Sequence, residues 1–276
     1  MHYFDFNQKI FEVGEGGTLG VVTWGLGGLG AKSYRTLIAE LGDDIKKKPL
    51  KTVQEAAERL IEKVWLAFNS FSLKKRYDDL AAKPSHNPAD PKNAANRTAD
   101  EDKELTKLKE ALVIGFCVAG FVLPNRSVAA ATILFDPAAP KPTPKMTTSE
   151  GWSWSGAPNI IQRLVYGIDP ALKKAVIDSG KWQGSEQELD QLVQAHKLSH
   201  ATLPIRDAVD YVHSSIYCTI KALKFSSLAQ TCGGPVELAV ITTDRKFRWV
   251  RHKSWDAAIN DGDIKDDLFR HAKHFT

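Results

Sequence analysis

The chain has 276 residues, of which 43% are hydrophobic and 25% are charged, and its formal net charge is +4. This length and composition are enough to bury a full hydrophobic core, and they predict one globular domain over residues 1–276. The charges are spread along the sequence without a basic cluster interleaved with aromatic residues. The composition therefore argues against a nucleic-acid partner.

Neither a secretory signal nor a membrane-spanning segment is visible in the sequence. Residues 1–10 lack a basic stretch followed by an apolar one, and no apolar run is long enough to cross a bilayer. The three cysteines, Cys117, Cys218 and Cys232, have no CxxC spacing and are surrounded by apolar residues in the sequence. This pattern is typical of reduced, buried thiols. We therefore expect a cytoplasmic protein without a membrane partner, and no segment requires a cofactor.

The first predicted elements are a hairpin and a helix. Residues 8–13 and 18–24 have the composition of short strands, and the glycine-rich residues 14–17 provide the turn between them. A helix follows over residues 33–45, where apolar side chains recur at helical spacing. The chain is thus expected to pass from an antiparallel pair of strands through a glycine-rich segment into a helix.

A second, longer helix is predicted to begin after Thr52. Thr52 and Glu55 have the spacing of a capping box, and apolar residues continue at helical spacing as far as Phe68. Residues 83–102 are polar and rich in proline, asparagine and aspartate, which is typical of an exposed, flexible insertion. We expect this insertion to contribute nothing to the core.

Two buried strands are predicted at residues 112–123 and 128–135, on either side of a proline-containing turn. Residues 136–145 contain four prolines, a composition that permits only an extended connector. Trp152 and Trp154 then alternate as they would in a strand, with both indoles on one face. We interpret them as packing or subunit-contact residues.

The last part of the chain predicts several helices followed by a hairpin. The helices are expected at residues 157–166, 169–179, 185–197 and 205–230, and the two strands at 236–242 and 246–250. One face of the longest helix is apolar and carries Ala208, Val209, Val212, Ile216, Ile220, Leu223 and Leu228. Strands and helices are grouped in runs, so we predict an α+β fold with largely antiparallel sheet.

Residues 25–30 match the GxGxxG fingerprint of dinucleotide-binding sites, between a predicted strand and a predicted helix. A dinucleotide-binding fold, however, needs a second parallel strand after that helix, with an acidic residue at its end that binds the ribose. Here a second helix follows, and Asp43 and Asp44 lie at the end of the first one. We therefore interpret the glycines from Gly25 to Gly30 as residues that allow a tight turn from strand to helix. A dinucleotide-binding enzyme is the weaker alternative.

Two other patterns were weighed as chemical sites. His196 and His200 have a spacing that can bind zinc, but no third ligand stands near them in the sequence. Cys232 lies beside glycines without a histidine at a recognisable spacing, so a packed thiol is favoured over a nucleophile. We therefore predict no metal site and no cysteine nucleophile.

Three segments follow one another in a characteristic order: Lys9-Ile-Phe11, the strand Leu19 to Trp24 running into Gly25-Leu-Gly27, and the late helix before Cys232-Gly-Gly-Pro-Val-Glu-Leu-Ala-Val-Ile241. Together they resemble the proteasome β-subunit and HslV-like branch of the N-terminal nucleophile (Ntn) hydrolases, over most of the chain. The resemblance implies a four-layer αββα sandwich, in which two antiparallel sheets lie between layers of helices. It also implies a homo-oligomeric threonine peptidase, whose terminal threonine attacks a peptide or amide substrate while its own amino group accepts the proton.

Four residues match functional positions of that family. Lys9 matches the lysine whose positive charge lowers the proton affinity of the nucleophile, although an ordinary strand-edge lysine is the alternative interpretation. Gly25 matches the residue whose backbone N–H stabilises the oxyanion, and glycine there lets the substrate carbonyl approach the main chain. Ser155 and Gly156 match the serine–glycine pair that supports the terminal amine.

The nucleophile of that family has no counterpart in this sequence. Only Met1–Gln8 precede Lys9, which is fewer residues than the leading strand and turn of the family contain. Neither Thr18 nor Thr23 can take its place. Each could become the first residue of the chain only by a cleavage that removes the hairpin segment with Lys9 or the strand that leads to Gly25. We therefore expect the chain as given to be inactive.

Two hypotheses account for the missing nucleophile. In the first, the natural chain begins upstream, and residues 3–6, which alternate like the interior of a strand, favour this hypothesis. In the second, the chain is a non-catalytic assembly subunit of the same fold, as proteasome α-type subunits are. Ala229 and Cys232 stand where the family has an aspartate and a serine that help to orient the nucleophile.

Overall fold

The structure is a computed structural model that describes residues 8–30, 32–90, 95–147, 151–198, 202–227 and 231–253. The elements formed by these residues are, in chain order, β1 (Ile10–Glu12), β2 (Leu19–Gly25), α1 (Tyr34–Lys47), α2 (Val53–Ser70), α3 (Ser72–Ala81), α4 (Ala99–Ala111), β3 (Ile114–Gly120), β4 (Ala129–Phe135), β5 (Lys145–Thr147), α5 (Asn159–Tyr166), α6 (Pro170–Asp178), α7 (Glu186–Ala195), α8 (Ile205–Lys224), β6 (Leu238–Thr242) and β7 (Arg245–Arg251). The strands form two antiparallel sheets, one with the order β1-β2-β3-β4-β5 and one of β6 and β7. The predicted α+β class is confirmed.

Contacts divide the chain into two compact units. The sheet unit comprises Lys9–Gly156 and Val240–Arg248, and the helical unit is built mainly from Ala157–Ala239. The five-stranded sheet and α1 to α4 belong to the sheet unit, whereas α5 to α8 belong to the helical unit. The prediction of one domain over residues 1–276 stays a prediction.

The five-stranded sheet is a meander in which each strand pairs antiparallel with the next. Its central pair, β2 and β3, is in register from Leu19 opposite Gly120 to Gly25 opposite Ile114. The predicted hairpin of β1 and β2 is present, and so is the predicted pairing of β3 with β4. The four helices of this unit are inserted between two neighbouring strands, β2 and β3.

One face of the five-stranded sheet is covered by helices. Side chains alternate along a strand, and the residues on this face are fully buried: Val21, Ile114, Phe116, Val118, Ala131, Ile133 and Phe135. From α2, Phe68 places its ring centroid 5.9 Å from that of Phe135. The main hydrophobic core of the sheet unit therefore lies between the sheet and the α1–α2 pair.

The predicted starts of α1 and α2 are confirmed, with one difference. The Ser33 hydroxyl accepts a hydrogen bond from the N–H of Thr36 at the start of α1. Thr52 likewise accepts from the N–H of Glu55, but the Glu55 carboxylate accepts from the N–H of Lys51 rather than from that of Thr52. Only half of the expected capping box is therefore present.

The opposite face of the sheet carries small residues and is partly covered. The Trp24 ring lies against Gly115, where a β-carbon would come within 1.9 Å of the indole. A β-carbon at Gly20 would be 3.0 Å from the ring of Phe247 on β7. Val22 and Leu134 are on this face as well, and they are 43% and 51% exposed. Glycine at position 115 is therefore required for the Trp24 ring to pack directly on the sheet, and glycine at position 20 lets the Phe247 ring approach closely.

A helix, α4, occupies part of the segment that was predicted to be a flexible insertion. Residues 99–102 of the predicted insertion 83–102 belong to this helix, which begins at a capping box formed by Thr98 and Glu101. The helix is mostly charged and buries no residue, so its apolar periodicity is too weak to indicate a helix from sequence. The sequence patterns did not predict α3 either.

The loop that precedes α4 is held by Arg97. Its guanidinium donates to the Leu80 carbonyl at 2.9 Å and to the Asp102 carboxylate at 2.5 Å. A hydrogen bond from a charged donor is stronger than one between neutral groups, so this loop is tied to the ends of both flanking helices. Residues 91–94 of the predicted insertion lie outside the described residues.

The segment after β4 agrees with the prediction in one part and differs in another. Residues 136–144 connect β4 to β5 without helix or strand, as expected from their prolines, and Lys145 is already in β5. Trp152 and Trp154 lie in no strand, so that prediction is wrong. The glycines on either side, at positions 151 and 156, have φ values of 140° and 83°, which interrupt an extended backbone.

In the helical unit, the four helices are at the predicted places, but the buried face of α8 shares only Leu223 with the predicted apolar face. Its buried residues are Ser215, Thr219 and Leu223, whereas Val212 and Ile216 are each 38% exposed. The Thr219 hydroxyl donates to the Ser215 carbonyl at 2.9 Å, so this polar group is satisfied inside the helix and can be buried. Tertiary packing thus overrides the apolar pattern.

The last hairpin is at its predicted place, whereas α8 is shorter than predicted. The helix ends at Lys224, earlier than the predicted residue 230, and Leu228 lies outside the described residues. β6 and β7 lie where the closing hairpin was expected, joined by a tight turn at Thr243 and Asp244.

Gly115→Ala should destabilise the sheet unit, because the added β-carbon would come within 1.9 Å of the Trp24 ring. Overpacking of this kind costs about 1–3 kcal/mol of unfolding free energy. Gly28→Ala is the matched control, since nothing lies within 4 Å of its β-carbon position. Urea unfolding followed by circular dichroism measures both variants, and equal stabilities would contradict the contact between Trp24 and Gly115.

Candidate functional site

Lys9 lies opposite Thr23 at the edge of the five-stranded sheet. The Thr23 N–H donates to the Lys9 carbonyl at 2.9 Å, which extends the pairing of β1 with β2 by one residue. Thr23 is buried, and its hydroxyl donates to the Gly115 carbonyl at 3.0 Å. The backbone of Lys9 is therefore fixed beside β2 at a point two residues before Gly25.

Gly25 ends β2 in a conformation that favours glycine. Its φ is +81°, and a β-carbon would lie 2.2 Å from the Val113 carbonyl oxygen. The next residue, Leu26, donates its N–H to the same oxygen at 3.0 Å. The main chain of Gly25 is exposed, so a ligand can reach it, whereas any side chain there would collide with β3.

The direction of the Gly25 N–H follows from the alternation of the ladder. Successive N–H groups of a strand point to opposite sides within the plane of the sheet. The Thr23 N–H points to Lys9 on β1, and the Leu26 N–H points to Val113 next to β3. The N–H of Gly25 is therefore directed to the β1 side, which is the side on which Lys9 lies.

Gly156 lies next to the same end of β2. Its φ is +83°, and a β-carbon there would be 3.4 Å from the β-carbon of Trp24. Ser155, the residue before it, is exposed. The structure thus brings Lys9, Gly25 and Gly156 to one end of β2, and it places Ser155 next to this group as the chain neighbour of Gly156.

Tyr34, at the start of α1, is a residue of this site that sequence reasoning missed. Its hydroxyl donates to the Leu26 carbonyl at 2.6 Å. The ring is buried, with its centroid 5.2 Å from that of Phe116 in an edge-on contact. Burial raises the pKa of this hydroxyl well above its usual value. No sequence pattern indicates such a contact, because the hydroxyl and the carbonyl are eight residues apart across an irregular turn.

The threonine hydroxyls near the site are engaged with the main chain. Thr18 donates to the Phe121 carbonyl at 2.5 Å, and Thr23 donates to Gly115. Both residues are internal to the chain, so neither has the free amino group that an Ntn nucleophile uses as its base. These threonines therefore serve as hydrogen-bond donors to the sheet.

The cysteines do not have the properties of activated nucleophiles. Burial raises the pKa of the Cys117 and Cys232 thiols, which lowers their thiolate fractions at neutral pH. Cys218 is exposed on α8. Ala229, the other position where the family has an orienting residue, lies outside the described residues.

The glycine-rich turn does not have the surroundings of a dinucleotide site. Both neighbours of β2 are antiparallel to it, and α1 is followed directly by α2, whereas a dinucleotide fold has a parallel strand at that point. Beside the turn, a cavity of about 530 Å³ is lined by Gly30, Lys32, Glu40 and Lys63, among others. Lys32 is paired with Glu40 at 3.2 Å, and Lys63 with Asp44 at 2.6 Å, so carboxylates neutralise the cations that a phosphate would need.

Only one histidine of the pair considered from sequence lies in the described part of the chain. His196 follows the last residue of α7, and His200 lies outside the described residues. Among the described side chains, no three or more histidines, cysteines, aspartates and glutamates come together in a way that could hold a metal ion.

Comparison of the chain with protein-family models, with curated proteins and with solved structures found no match in any of the three. Within the described ranges, no helix is both long enough and apolar enough to cross a membrane. The function of the site is therefore inferred from its own geometry and from the residues that carry the resemblance to the Ntn hydrolases.

The three thiols should differ in their rates of alkylation. At about pH 8, Cys218 should react with a maleimide first, because it is exposed, while the raised pKa values of Cys117 and Cys232 should slow these thiols. Mass spectrometry of timed samples, with Cys218→Ser as the control, measures each rate. Faster labelling of Cys117 or Cys232 than of Cys218 would contradict this account and would point to a thiol nucleophile.

Proposed function

We propose that this chain has the proteasome-like Ntn-hydrolase fold and that Lys9 and Gly25 form part of a site that hydrolyses peptide or amide bonds. The observation that supports this proposal is the pairing of Lys9 with Thr23. It puts a lysine and the N–H of Gly25 on the same side of β2, which is the arrangement that the resemblance implies.

In the proposed reaction, the hydroxyl oxygen of a terminal residue attacks the carbonyl carbon of the amide. Its proton passes to the free terminal amine, and the Lys9 cation favours this transfer by stabilising the developing alkoxide. The carbonyl oxygen becomes an oxyanion, which accepts a hydrogen bond from Gly25. The amine then carries the proton to the leaving nitrogen as the C–N bond breaks, and water hydrolyses the resulting ester. Ser155 and Gly156 are the proposed supports of the amine.

The layer arrangement of the sheet unit supports the four-layer αββα sandwich as part of this proposal. One face of the five-stranded sheet is covered by helices, and on the other face Phe247 of β7 contacts Gly20. The Phe247 N–H also donates to the Gly17 carbonyl at 2.9 Å. A strand that packs on the face opposite the helices is what a sheet-on-sheet arrangement requires.

The proposed nucleophile is a terminal threonine, serine or cysteine outside the described part of the chain. Thr18 and Thr23 are unsuitable because their hydroxyls donate to main-chain carbonyls and their amines are in peptide bonds. Cytoplasmic localisation and a peptide or amide substrate are further parts of this proposal.

The second candidate function is a non-catalytic assembly subunit of the same fold. Large apolar side chains are exposed on both units, such as Leu66 at 73% exposure and Phe225 at 79%. Side chains of this kind are typical of protein–protein contacts when they cluster. Self-association into a homo-oligomer is compatible with either candidate function.

A peptide vinyl sulfone tests the hydrolase proposal in protein purified from its natural host. We expect covalent labelling of a terminal threonine, serine or cysteine, and labelling at least about 100-fold slower in Lys9→Ala, because the alkoxide loses its nearby positive charge. Lys32→Ala is the matched control, since Lys32 is an exposed lysine paired with Glu40, and its labelling should equal that of the unmodified protein.

Mass spectrometry of the labelled peptide distinguishes the two candidate functions. Undiminished labelling of Lys9→Ala would refute the role of Lys9. Absence of labelling in the unmodified protein would refute the hydrolase proposal and would favour the assembly subunit.

A further inference from the structure

We propose that Tyr34 is a positioning residue that holds the main chain directly after Gly25 in one conformation beside the proposed oxyanion position, an inference that rests on the proposed hydrolase function. The Tyr34 hydroxyl donates to the Leu26 carbonyl at 2.6 Å. The N–H of the same residue donates to the Val113 carbonyl at 3.0 Å. The residue directly after Gly25 is therefore held at both of its polar groups, by α1 on one side and by the start of β3 on the other.

Gly25 needs such a restraint because glycine has a large choice of backbone conformations. Its φ of +81° is accessible to glycine at little cost, but so are many other values. A donor contributes to catalysis when it is already aligned before charge develops on the substrate oxygen. The N–H of Gly25 belongs to the peptide that precedes Gly25 and is oriented by strand pairing. Rotation about Gly25 would move the chain that follows it and change the access of a ligand to that N–H.

Tyr34 is itself well fixed. It is the first residue of α1, directly after the Ser33 cap, and it is 3% exposed. Its ring makes an edge-on contact with Phe116 in the centre of the core. Since burial raises the pKa of the hydroxyl, Tyr34 stays protonated and remains a donor at neutral and moderately alkaline pH. A phenylalanine would fill the same space, so the distinct contribution of tyrosine at this position is its hydrogen bond.

Tyr34→Phe tests the positioning in the chain as it exists, by amide hydrogen exchange measured with NMR. We expect exchange at Leu26, whose N–H donates to the Val113 carbonyl, to be at least about tenfold faster, while the amides that pair β3 with β4 keep their rates. Tyr77→Phe is the matched control, because Tyr77 is another buried tyrosine of the sheet unit, 6% exposed, and its loss should leave exchange at Leu26 unchanged.

Two results of the exchange experiment would overturn the inference. Unchanged exchange at Leu26 would show that Tyr34 does not restrain the turn. Equally faster exchange throughout the sheet would show that the hydroxyl only stabilises the fold as a whole. Neither result depends on whether the protein is a hydrolase.

Hydrolysis by the host-purified protein provides the second test. For Tyr34→Phe we expect kcat to fall about tenfold with KM within about twofold, since altered access to the oxyanion donor weakens transition-state binding more than substrate binding. Tyr77→Phe should retain both constants. An unchanged kcat, or a rise in KM alone, would overturn the positioning role. The two tests can also disagree. If Tyr34→Phe changes amide exchange but the unmodified protein hydrolyses no substrate, the proposed function is refuted and the structural role of Tyr34 stands.

Discussion

The close approach of Gly25 to the Val113 carbonyl is the constraint on which the candidate site depends. With 2.2 Å between that oxygen and the position of a β-carbon, only glycine can end β2 there without displacing β3. The same carbonyl then accepts the N–H of Leu26, so the chain leaves the sheet in one direction. That direction leads through the glycine-rich turn to α1.

The hairpin of β1 and β2 adds the second part of the site. Its register brings Lys9 opposite Thr23, and the alternation of the ladder turns the Gly25 N–H to the same side. A cation and a main-chain donor at one strand edge are suited to stabilising negative charge on two neighbouring oxygens. Strand pairing fixes the main chain of Lys9 beside β2, and such pairing is less easily disturbed than a loop.

The core behind the sheet supports this geometry. Tyr34, Phe116 and Phe135 form a chain of edge-on aromatic contacts, with centroid distances of 5.2 Å and 6.0 Å. Through the hydroxyl of Tyr34, this packed layer is connected to the turn after Gly25. Packing in the core and the conformation of the turn after Gly25 are therefore connected in the structure, and a catalytic function at Gly25 would depend on that connection.

The sequence predicts those parts of the fold that local patterns determine. β1 to β4, α1 and α2 were expected because turn glycines, N-caps and apolar periodicity agree with one another there. α4 was missed because its residues are mostly charged, and of the apolar face predicted for α8 only Leu223 is buried, beside Ser215 and Thr219.

The candidate site was predictable only in part. Lys9, Gly25 and Gly156 could be named only from the resemblance, and a β-carbon at Gly156 would lie 3.4 Å from the β-carbon of Trp24, the residue before Gly25. The contribution of Tyr34 could not be predicted, because a hydrogen bond between a helix start and an irregular turn leaves no periodic pattern in the sequence.

The most direct test of the central claim is the N-terminal sequence and intact mass of the protein as its natural host produces it. The account predicts a chain that begins, ahead of Lys9, with a processed threonine, serine or cysteine whose free amine acts as the base. A mature chain that begins at Met1 would contradict the hydrolase claim, because no terminal nucleophile would then be available to Lys9 and Gly25.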